Sequence, residues 1–179
     1  LGGMGALVLL GVRYLKPARA FSLGLFTLRL AIALGVVFLF GAQPVQDFKT
    51  MYDAACQLAR GSREYLQTDY FYNWAYQTGF VAYEALVVRL FGEGLLPLQV
   101  LNAVWMAGTG CLVYGIARRF LPETGAMAAS LLYALYPGPY FLAAVLTTQH
   151  IAVFLFYLGV WVLARREKPS PGGAVRAGR

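Results

Sequence analysis

An all-α protein that crosses a membrane several times is the fold class this sequence predicts, and three observations predict it. The chain is 59% hydrophobic and only 13% charged, too apolar for a soluble domain. Its apolar residues fall in runs near the ~20 residues that a bilayer core requires. Its basic residues gather at the ends of those runs, where they set orientation. The net charge of +7 is therefore a topology signal, and no nucleic-acid partner is expected. Cys56 and Cys111 are the two cysteines; they offer neither a disulfide framework nor metal-ligand spacing.

The expected architecture is about four full spans, a truncated N-terminal one, and two short interfacial helices in a large external loop. Residues 1–12 read as the tail of a truncated span with no cleavable signal sequence. The chain starts inside an apolar run without Met, as a piece of a longer protein would. Arg13, Lys16 and Arg19 form a basic loop around Pro17. The first full span is Phe21 to Ala42, ~33 Å long at ~1.5 Å per residue. Its one charge, Arg29, snorkels toward the basic side; the alternative is a cation facing the bundle, near a lipid phosphate.

Asp47 to Ala59 places Phe48, Met51, Tyr52, Ala55 and Leu58 at helical spacing and stops at Gly61. It is too short to span and is expected along the interface. Gly79 to Phe91 is a second short helix, and Ser62 to Thr78 an aromatic loop between them. Leu95 to Ala117 is the second span, with Ala103, Ala107, Cys111 and Gly115 as a small-residue stripe for close packing. The third span starts at Thr124 with a similar stripe (Ala126, Ser130, Ala134) and breaks at Pro137-Gly138-Pro139. Tyr140 to Ala164 is the fourth, with Thr147, Thr148, Gln149 and His150 near its start. Residues 167–179 read as a disordered basic tail.

Counting charges orients the chain. With the first basic loop in the cytoplasm, ten basic residues fall on that side, whereas residues 43–96 hold four bases and six of the chain's eight acids. That loop is then external and the C-terminal tail cytoplasmic, in a multi-pass protein of the cell membrane. The loop is also crowded with aromatics, among them Tyr70, Phe71, Tyr72, Trp74 and Tyr76, which suggests a site at a membrane surface.

The order of these parts resembles the GT-C superfamily of integral membrane glycosyltransferases. The likeness is to family 39, the dolichyl-phosphate-mannose-protein mannosyltransferases, and to the lipid A aminoarabinose transferases. The pattern D-x4-Y-x2-A-x2-L-A-x-G is read in Asp47, Tyr52, Ala55, Leu58, Ala59 and Gly61. Leu90-Phe91-Gly92 matches the end of a short helix. Ala117-Arg118-Arg119-Phe120-Leu121 matches the end of the next span, and Pro137 the end of the one after. The likeness runs over roughly residues 21–166, the N-terminal part of such a module. Phe48 departs from it, where many relatives carry a second acid. So does Trp74-Ala75-Tyr76-Gln77, where many carry Tyr-Pro-Pro.

The resemblance implies transfer of a sugar from a polyprenyl-phosphate carrier to a glycan, lipid or protein acceptor outside the membrane, usually with inversion. A phosphate leaves without a general acid, so one carboxylate suffices to take the acceptor's proton. Asp47 is the candidate, although an Asp at this point is also a good helix N-cap. Asp53, Glu64, Asp69 and Glu84 are reserve carboxylates, with Glu84 also a substrate-binding candidate. Lys49, Arg60, Arg63 and Arg89 are candidates to hold the carrier phosphate, or interfacial anchors. Tyr72 and Trp74 would stack on sugar or prenyl chain, or form an interfacial belt. His150 faces a ligand or packs in the core. No dense carboxylate cluster calls for a metal, and no cofactor is expected, with a divalent ion left open. A transporter or channel, which would line a path with mid-span charges, and a non-catalytic assembly subunit are the alternatives.

Overall fold

The computed structural model of the protein describes residues 17–41 and 43–166. The expected truncated N-terminal span and the basic tail lie outside the described residues. Among the described residues all regular structure is helical. Helix α1 is Pro17–Phe40, α2 Asp47–Ala59, α3 Asp69–Asn73, α4 Thr78–Phe91 and α5 Leu95–Phe120. Then come α6 Glu123–Leu135, α7 Gly138–Ala144 and α8 Gln149–Arg166. The segment expected as an aromatic loop is itself largely helical. It holds α3 between two 3₁₀ turns, Glu64–Gln67 and Ala75–Gln77.

Helix α5 is the axis of a bundle, touching α1, α6, α7 and α8. Its small stripe does what the sequence suggested. Ala103 and Ala107 have no exposed surface, and a Cβ at Gly115 would lie 2.9 Å from the Trp161 ring of α8. The Cys111 thiol donates to the Ser22 carbonyl of α1 at 3.3 Å. Close backbone approach of this kind raises dispersion contact where no hydrophobic effect drives helices together. Ala126 and Ser130 of α6 are also fully buried, and the Ser130 hydroxyl bonds back to the Ala126 carbonyl at 2.8 Å.

Two boundaries differ from the sequence reading. Pro137 interrupts a span without reversing it, and the reversal comes later, at residues 145–148. Leu146 packs with Leu98 near the start of α5, whereas Trp161 of α8 meets Gly115 near its end. Helices α6 and α7 therefore run the length of α5 together, and α8 runs back. The expected fourth span, Tyr140 to Ala164, is split: its first turns are α7, and Leu146 adopts φ +62° between the two helices. The polar cluster marks this corner, where the Thr147 hydroxyl accepts from the Gln149 N–H at 3.3 Å, as Ser and Thr do at helix starts. Two helices, Arg19–Phe40 and Leu95–Phe120, are long and apolar enough by themselves to cross a bilayer; Gln149–Arg165 is apolar but shorter.

Broken helices leave carbonyls without donors, which a membrane interior tolerates only where side chains replace them. The buried polar residues do this. Pro137 has no N–H for the Tyr133 carbonyl four residues earlier, and Arg29 Nη1 donates to that carbonyl at 3.2 Å. The Tyr140 hydroxyl donates to the next one, Ala134, at 2.7 Å. At the corner, Gln99 Nε2 of α5 donates to the Ala144 carbonyl at 2.7 Å and Asn102 Nδ2 to that of Thr147 at 3.4 Å. Arg29 thus does not snorkel. It is fully buried, with its guanidinium 4.7 Å from the Tyr133 ring and 5.3 Å from that of Tyr140. Gly110 makes the room, since a Cβ there would lie 2.8 Å from Arg29 Cδ.

Helices α2, α3 and α4 form a separate layer against the N-terminal end of α5. Met51, Ala54 and Ala55 of α2 pack on Val81 and Ala85 of α4, with Tyr65 and Phe71 closing the cluster. A second cluster, Cys56, Val87, Val88, Leu98 and Leu146, fixes the layer to the bundle, and Trp105 Nε1 donates to the Tyr83 hydroxyl at 3.1 Å. Gly61 and Gly92 end α2 and α4 with φ of +91° and +87°, the left-handed exit that glycine adopts without a Cβ clash.

Candidate functional site

Asp47 is the first residue of α2 and lies on the surface of the layer. It is not the N-cap. Gln46 occupies that position with φ +49° and no side-chain cap, and its carbonyl accepts from the Thr50 N–H at 3.0 Å. Positive φ at a non-glycine residue costs of order 1–3 kcal/mol and is held by its surroundings. Here the strained residue directly precedes the candidate base. The Asp47 carboxylate sits in the first turn, where the helix dipole favours negative charge. Across from it lies Tyr70 of α3, whose hydroxyl is pushed up first by burial, then by the Asp47 charge.

The four candidate phosphate-binding cations divide into two pairs. Lys49 is held by Asp53 at 2.7 Å, one turn along α2. Arg60 makes a two-pronged ion pair with Glu93, which ties the end of α2 to the α4–α5 connection. That pairing raises the guanidinium and lowers the carboxylate, through hydrogen bonding first. Arg63 and Arg89 are exposed and meet no acid among the described residues. Tyr72 is 86% exposed and Trp74 half exposed, and the Trp74 and Tyr76 rings stand edge to face at 6.0 Å. They form an aromatic surface on the same layer.

Glu84 lies elsewhere. It is fully buried, and both carboxylate oxygens lack a hydrogen-bond partner among the described residues. Desolvation pushes its pKa up to about 8, so it is neutral at pH 7. Its neighbours are Tyr52, which burial and then the Cys56 thiol push up to about 12, and Tyr83. His150 is in the bundle, not the layer. It is buried at the start of α8, its ring meets the backbone of Leu142 and Pro139, and Nε2 has no partner among the described residues. The layer thus carries Asp47, Lys49, Arg60, Arg63, Tyr72, Trp74 and Arg89 on its surface, with Asp47 and Lys49 at the start of α2 and Arg60 and Arg89 toward the other end, and leaves Glu84 beneath that surface and His150 apart.

A feature missed in the sequence is a pocket of about 340 Å³ on α2, lined by Thr50, Asp53 and Gln57 and roofed by Glu64, Thr68 and Phe71. The apolar face of α2 drew the reading. The polar residues at 50, 53 and 57 follow the same i, i+3, i+7 spacing on its flank, and were the available signal.

Comparison with known proteins places a boundary on what this geometry means. A family model described as dolichyl-phosphate-mannose-protein mannosyltransferase matches residues 80–171. The match takes in α4 to α8 and stops short of Asp47. No curated protein and no solved structure matches the chain.

Proposed function

The chain belongs to the dolichyl-phosphate-mannose-protein mannosyltransferase family of membrane glycosyltransferases, and from that premise we propose that it moves a sugar from a polyprenyl-phosphate carrier to a hydroxyl acceptor outside the membrane, with Asp47 as general base. One observation carries the assignment to Asp47: it is an exposed carboxylate in the first turn of α2 that forms no ion pair among the described residues, across from Tyr70 of the aromatic segment. In the proposed step the acceptor oxygen attacks the anomeric carbon and the bond from that carbon to the phosphate oxygen breaks. The bonding pair leaves with the phosphate, and the acceptor's proton passes to Asp47. Attack from the face opposite the leaving group inverts the anomeric centre.

Arg63 and Arg89 are the cations best suited to the carrier phosphate, because Lys49 and Arg60 are already engaged by acids. Tyr72 and Trp74 offer apolar faces to the sugar or to the first prenyl units. Glu84 supports the layer as a neutral buried acid and takes no direct part. The transporter reading is the weaker one, since the one mid-span charge among the described residues, Arg29, bonds the Tyr133 carbonyl and lies against two aromatic rings.

The test is turnover of lipid-linked sugar by the full-length protein in membranes, with the product's anomeric configuration read by NMR. Transfer with inversion is expected. Transfer with retention would remove the single-displacement mechanism, and absence of any transfer from polyprenyl-linked donors would remove the proposal.

A further inference from the structure

The pocket on α2 has a chemical bias that neither the family nor the proposed base assigns. Its lining is rich in hydrogen-bond acceptors. Asp53 and Glu64 contribute carboxylates. Gln57 Oε1 is buried and has no partner among the described residues. Tyr65 contributes one hydroxyl, and the other two have already spent their protons: Thr50 Oγ1 donates to the Gln46 carbonyl at 3.3 Å, and Thr68 Oγ1 to that of Tyr65 at 2.8 Å. Both therefore present lone pairs to the pocket. Lys49 is a nearby cation, but its ammonium is bound to Asp53 at 2.7 Å.

A phosphate would meet two carboxylates here and be repelled. The complementary ligand brings several O–H donors close together, as a sugar ring does, and hydrogen bonds to carboxylates are among the stronger ones. The volume falls in the range of small-molecule sites. Position adds to the chemistry, since Thr50 is one helical turn from Asp47, ~5 Å along the axis.

We infer that this pocket is the acceptor subsite and that it takes the acceptor as a carbohydrate, through its ring hydroxyls. The inference rests on the proposed glycosyl transfer for its meaning, but binding at the pocket does not depend on which carboxylate is the base. A ring seated between Asp53 and Glu64 directs a neighbouring hydroxyl toward Asp47.

The test uses the full-length protein in lipid nanodiscs, titrated calorimetrically with mannobiose, cellobiose and argininamide. At least one disaccharide should bind saturably. Asp53→Asn combined with Glu64→Gln should weaken it at least about tenfold, as loss of two charge-assisted bonds implies. Gln57→Met, which removes the orphaned acceptor, should act in the same direction and serves if the double variant does not fold. Asp47→Asn should leave disaccharide binding in place, so that failure of the base assignment and failure of the pocket are read separately. Binding of neither disaccharide, binding unaffected by these substitutions, or binding of argininamide alone would overturn the inference.

Discussion

At the scale of single residues, the chain separates charges that act at its surface from charges that are buried for structural ends. Glu84 is the clearest buried case. Its carboxyl is neutral in the folded protein up to about pH 8, whereas in the unfolded chain it ionises near 4.5. Between those values the unfolded state has released a proton that the folded state retains, so stability falls as pH rises through that window. At pH 7 the loss is on the order of 3 kcal/mol, from ~1.4 kcal/mol per pKa unit. Glu84→Gln should therefore melt higher than the parent at pH 8, with the difference vanishing near pH 4. Melting curves of detergent-solubilised protein measure this, and a pH-independent difference would show that burial does not shift Glu84. The sequence could not reveal this state. Glu84 sits among Val81, Ala85 and Val88 on α4, but whether that side faced solvent depended on α2 covering it.

At the scale of elements, helices α2, α4 and α5 were legible because each has a strong stop signal, at Gly61, Gly92 and Arg118-Arg119. The third and fourth spans were not. Pro137 is a strong breaker in sequence, yet Arg29 and Tyr140 supply the donors it removes, and the path continues through α7. The true corner at residues 145–148 has no Pro or Gly to announce it, only the polar run from Thr147 to His150. Arg29 is accordingly a helix-end clamp, and its shape matters as much as its charge. A lysine there cannot bond a carbonyl and lie flat against two rings. Arg29→Lys should thus destabilise by about 2 kcal/mol, through lost stacking and a weaker carbonyl bond. Arg29→Met, which also removes the cost of burying a lone cation, should be milder. If thermal denaturation ranks the two in the opposite order, Arg29 acts as a point charge and not as a clamp.

At the scale of the whole molecule, a bundle around α5 carries a helical layer at one end, and nearly every surface candidate lies in that layer. Composition and run length made the all-helical membrane class readable. The acid-rich stretch made the layer's extent readable, and its ordering of the aromatic segment was hidden because Tyr65 and Phe71 pack only once α2 and α4 meet. If residues 43–96 lie outside, cysteines introduced at 62 and 93 in a background lacking Cys56 and Cys111 should both react with an impermeant reagent in intact cells. Protection of position 93 until permeabilisation would place α4 across the membrane. The most direct measurement of the central claim is turnover by Asp47→Asn in the full-length protein. Asparagine keeps the side chain's size and removes the proton acceptor, a loss that typically slows a general-base step ~10²–10⁴-fold. The account predicts a folded, membrane-inserted variant that binds lipid-linked donor normally and turns it over at least about a hundredfold more slowly. Near-normal turnover by Asp47→Asn would contradict it.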